Sequence, residues 1–165
     1  MAELTVLESK LGEVAGLAMA AQGATDKVKK LAEEEGASGL VQELERMHHE
    51  AAETEERCTK RADELDGKKT AILEKAREVK QEATEMMQTY LGPDADALDG
   101  FEFLTMAEAG EVGHWEVLGV LGQKAGKSDV QALVDWAVPI QQRHFQEARA
   151  GSLRLAADEN PNETR

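Results

Sequence analysis

The chain has 165 residues and a formal net charge of −14, with charged residues at 32% and aromatics at 4%. That length suits one domain of ordinary size with a sizeable core. Acidity of this degree repels nucleic acid and anionic membrane surfaces, which excludes both as expected partners.

The opening MAELTVLESK has neither a basic start nor a continuous apolar run, and no apolar run in the chain is long enough to span a bilayer. A cytoplasmic chain with no membrane segment is the expectation. Apolar residues then recur at heptad-like spacing (Leu4, Leu7, Leu11, Val14, Ala18, Ala21, Val28, Ala32), predicting a first helix over Glu3–Glu35. Gly12, Gly16 and Gly23 mark places where a neighbouring helix approaches closely. GASG at Gly36–Gly39 predicts a tight reversal.

The second helix is predicted over Leu40–Asp66, on a stripe of Leu40, Leu44, Met47, Ala51, Thr54, Cys58 and Leu65. Cys58 is the single cysteine, so no intramolecular disulfide forms, which fits a reducing compartment. Its place in the stripe makes it a small core residue. Asp66–Gly67 ends or kinks this helix. The third helix, Lys68–Leu91, carries Ile72, Ala76, Val79, Ala83, Met86 and Tyr90 on one face. Gly92–Gly100, with Pro and Asp among its residues, reads as a linker.

A fourth helix follows over Phe101–Lys124, and a fifth over Ser128–Ala157 with Ser128 as its N-cap. Pro139 inside the fifth predicts a kink. Residues 158–165 read as a polar tail. Long helices joined by short glycine-containing turns predict an all-α chain. Residues 1–157 form one bundle domain of two antiparallel hairpins, with the third helix connecting them.

The fourth helix breaks the pattern. Glu108, Glu111 and His114 fall in line with Leu104, Leu118 and Leu121, inside the apolar stripe rather than opposite it. Met106, Gly110, Gly113, Val117 and Val120 cover other sides, so this helix is expected to be buried nearly all round, its glycines admitting a neighbour. The fifth helix repeats the anomaly: His144 lies in its stripe, and Glu147 stands one turn on, at the edge. If the hairpin turns near Gly126, Glu108 and His144 are equally far from the turn, and Glu111 faces Gln141.

Carboxylates and imidazoles that converge inside a helical bundle suit a carboxylate-bridged di-metal site. Glu111–His114 has the Glu-x-x-His spacing that puts two ligands one turn apart. On the second helix, Glu50 flanks the stripe as the best-placed carboxylate. The first helix offers none in its stripe, because Glu8 and Glu13 lie about 100° off it, and Gln22 is a poor ligand. The competing reading is that the same side chains neutralise one another and fix the register of the bundle.

HHEAAET (His48–Thr54) and AEAGEVGHWEVLGVL (Ala107–Leu121), in this helix order, resemble the bacterial YciE/YciF-type ferritin-like bundles, themselves similar to ferritins and rubrerythrins. The resemblance spans roughly Leu40 to Leu155. It departs from the family at His114, where a second Glu is expected, at His144, and on the first helix. It implies a ferritin-like antiparallel four-helix bundle with an additional connecting helix. It also implies an association with stress response and binding of iron, while the mixed oxygen and nitrogen ligation suits iron or manganese, one or two ions per chain.

Glu111, His114, His144, Glu108, Glu147 and Glu50 would be the ligands. Two metals with open positions would permit oxidase or peroxide chemistry. The alternative is a non-enzymatic interaction or scaffold bundle with a degenerate site, dimerising through an outer apolar patch formed by Trp115, Trp136 or Phe145.

Overall fold

The computed structural model describes residues 2–164, and among them the chain forms five α-helices and no strand. These are α1 (Val6–Glu34), α2 (Ser38–Asp63), α3 (Lys69–Tyr90), α4 (Ala97–Lys124) and α5 (Ser128–Asp158). No helix among the described residues is long and apolar enough to cross a membrane.

Caps set the boundaries. Thr5 accepts a hydrogen bond from the Glu8 backbone N–H while Glu8 accepts one from Thr5, so α1 starts after Thr5 instead of at Glu3. Asp96 and Asp99 make the same reciprocal pair at the head of α4. That cap starts α4 at Ala97, a turn before the predicted Phe101. Each of the three tight reversals turns on a glycine with positive φ: Gly36 (72°), Gly67 (69°) and Gly126 (64°). α5 runs unbroken through Pro139, whose ring lies on the exposed face.

α1 packs against α2 and α4, α2 against α5, and α4 against α5, so these four helices close a ring around a shared interior. α3 lies outside the ring, on α1 and more lightly on α2. Glycines on α1 make that seat possible. A Cβ on Gly12 would come within 2.9 Å of the Ile72 carbonyl, and one on Gly16 would strike the Ala76 carbonyl. Gly23, by contrast, meets nothing.

The core has two apolar clusters. One gathers Leu11, Val14, Cys58, Ile72, Trp115, Leu118 and Leu133, and the other Val28, Leu44, Met47, Phe101, Leu104 and Ala148. On three helices of the ring the residues between the clusters include polar ones, Thr54 on α2, Glu108 and Glu111 on α4, and Gln141 and His144 on α5, and on α1 Thr25 is buried beside Ala24 at the start of the second cluster. A polar waist thus divides the core.

Candidate functional site

Burial selects the site. Glu108 and His144 are 1% exposed and Glu111 is 5% exposed, and no other ionisable Asp, Glu, His, Lys or Arg among the described residues is buried. Ionised groups at such positions cost several kcal/mol each unless they are paired.

His144 is paired twice. Its Nε2 lies 3.0 Å from Glu50 Oε2, reaching across to α2, and its Nδ1 lies 3.6 Å from Glu108 Oε2 on α4. The expected meeting of Glu108 and His144 is therefore found. Gln141, one turn earlier on α5, donates from Nε2 to the same Glu108 oxygen at 2.6 Å. Glu108, and not Glu111, is the carboxylate that Gln141 reaches.

Glu50 stands at the edge of the waist, with its side chain 17% exposed. Arg143 hydrogen-bonds it, and Arg46 lies 3.6 Å away. Arg46 also hydrogen-bonds Glu147, which has Arg143 3.9 Å away. Glu147 therefore belongs to an outer ion-pair network and does not reach His144. Sequence reasoning missed both arginines. The signal was present: Arg46 precedes Glu50 by one helical turn, and Arg143 stands next to His144.

His114 is placed elsewhere. Its side chain is 43% exposed and its Nδ1 lies 3.3 Å from Glu13 of α1. The Glu-x-x-His spacing is real, but the shared face is wide. Glu111 falls on its buried part and His114 on its rim.

Titration follows from these contacts. Burial works against a charged imidazole, yet Glu108 and Glu50 outweigh it, and His144 titrates above the ordinary histidine range. Burial foremost, then the charge of Glu108, holds the Glu111 carboxyl well above the usual carboxylate range. No hydrogen bond to the Glu111 side chain is found among the described residues. Burial, with Glu111 and Glu55 adding, raises the Cys58 thiol and keeps it unreactive.

No group of three or more His, Cys, Asp or Glu side chains among the described residues is arranged to hold a metal ion. The donor chemistry accounts for this. Both imidazole nitrogens of His144 face carboxylates, Gln141 occupies Glu108, and two arginines crowd Glu50. Beside Glu108 and Glu111, α1 presents Leu17, Ala20, Ala21 and Ala24, and no carboxylate. These residues do not fit a pair of metal ions.

The same α1 residues line a largely apolar groove of about 220 Å³ between α1, α3 and α4, with Met86 and Met87 on its α3 side. The expected outer aromatic patch is not assembled. Trp115 is fully buried, and Trp136 is half-buried with the Arg57 guanidinium 4.1 Å above its ring. Comparison with family models, curated proteins and solved structures gives no match.

Proposed function

We propose that the chain is a ferritin-like bundle, α1, α2, α4 and α5 forming its four-helix body and α3 an added helix. In this reading its polar centre is closed on itself, and the protein works as a non-enzymatic interaction or scaffold module. The observation that carries this reading is the double pairing of His144 with Glu50 and Glu108, carboxylates from two other helices. An imidazolium between two carboxylates, with Gln141 donating to one of them, satisfies His144 and Glu108 without a further cation. Such a network fixes which helices are neighbours and at what register, a role best attested for buried polar groups in helical assemblies.

The competing reading is a centre that binds iron or manganese and supports oxidase or peroxide chemistry. Anaerobic loading with iron(II) or manganese(II), desalting and elemental analysis separate the two. The scaffold reading predicts no stoichiometric retention and the same result for His144→Ala. Retention of one or two ions per chain, lost in His144→Ala, would overturn it.

A further inference from the structure

The outward face of α4 is the anomaly that the polar centre does not explain. Met106, Val117 and Val120 are among the few large apolar side chains left exposed. With Gly110 and Gly113 they fall at alternating spacings of four and three residues, the pattern of a helix seam. A Cβ on either glycine would meet nothing within 4 Å, so among the described residues no helix uses the close approach they permit. The face continues towards α3, where Met86 and Tyr90 are also exposed and Met86 shares a groove with Met106.

The charges at its two ends identify the occupant. Glu102 and Lys124 lie equally far in sequence from Gly113, both exposed, and neither has an ion pair among the described residues. Placed against its own copy, antiparallel and centred on Gly113, the face matches Met106 with Val120 and Ala109 with Val117. Each Glu102 then meets a Lys124, while Glu116 stays at the margin. Antiparallel packing also sets the positive end of one helix against the negative end of the other.

We propose that this face is the interface of a homodimer, with α4 crossing α4 of a second copy antiparallel and the two-fold axis at Gly113. An isologous contact requires such self-complementarity, and a partner of different sequence would not. The proposal stands on the outer face and is independent of what the polar centre holds.

Sedimentation velocity of the full chain over a wide concentration range tests it. The expected species has twice the chain mass. Val117→Glu with Val120→Glu should yield a monomer of unchanged helicity. Glu102→Lys and Lys124→Glu should each weaken the dimer, by about tenfold, and the two together should restore it, because each reversed charge then meets its reversed partner. Gly113→Cys should form a disulfide-linked dimer under oxidation, since Cys58 is buried. The exposed charge reversals keep the test decisive should the double glutamate variant fail to fold. A monomeric wild-type chain would overturn the proposal. So would a dimer indifferent to the glutamates, or charge reversals that do not rescue each other.

Discussion

α2 and α4 are helices of similar length in the same ring, and they distribute polarity in opposite ways. α2 turns Leu40, Leu44, Met47, Ala51, Cys58 and Ala62 inward and Glu45, Glu53, Glu56 and Lys60 outward. α4 buries Glu108 and Glu111 among Phe101, Leu104, Trp115 and Leu118, and leaves Met106, Val117 and Val120 in water. The hydrophobic effect accounts for most of α2. It does not account for α4, where Glu108 is held by Gln141 and His144 of α5, Glu111 is buried with no hydrogen bond among the described residues, and an apolar face is left outward. α2 reaches the polar centre only through Thr54 and, at its edge, Glu50, whereas α4 departs from the ordinary pattern on both of its faces.

The sharpest way to break the contrast is to remove the partner of the buried charges. His144→Leu leaves Glu108 and Glu50 facing an apolar side chain. It should cost about 3–5 kcal/mol, read as a lower urea midpoint. On the conventional helix, Leu44→Ala removes buried hydrocarbon at a fully enclosed position. It should cost about 2–5 kcal/mol with no change in pH dependence.

Glu111→Gln sharpens the comparison through pH. The carboxyl of Glu111 binds its proton more tightly folded than unfolded, and so does His144. Each therefore contributes stability that is fully present below its unfolded pKa and lost as pH rises through the raised folded value. Stability should fall from mildly acidic to alkaline pH. Glu111→Gln should flatten that fall and raise the thermal midpoint on the alkaline side, with little effect on the acid side. A metal-ligand role would instead show as lost metal retention. The smallest effect belongs to the outer face: Val120→Thr should change monomer stability by less than about 0.5 kcal/mol, measured in dilute chemical denaturation.

The helices were legible because apolar spacing and glycine punctuation agree along most of the chain. Leu40–Ala62 on α2 and the reversals at Gly36, Gly67 and Gly126 needed nothing beyond local chemistry. The meeting of Glu108 and His144 was legible too, because an antiparallel hairpin fixes which residues stand level. What stayed hidden depends on packing angle. Periodicity puts Glu111 and His114 on one face, but the rotation of α4 against α1 decides that His114 reaches water and Glu13.

The same rotation decides the fate of Met106, Gly110, Gly113, Val117 and Val120. An apolar residue and a glycine read alike whether a neighbour covers them or not. α3 was the missing information. It seats on α1 through Gly12 and Gly16 and leaves the outward face of α4 bare. The arginines around Glu50 were missed because an exposed cation on a charged helix looks like any other solvated one.

The most direct test of the central account is a nitrogen-15 NMR titration of the His144 ring. Held between Glu50 and Glu108, both ring nitrogens should carry protons at pH 6.5, and the ring should titrate above the ordinary histidine value of 6.5. A ring that titrates at or below that value, with one nitrogen bare at neutral pH, would contradict a self-paired centre and leave a lone pair ready for a metal ion.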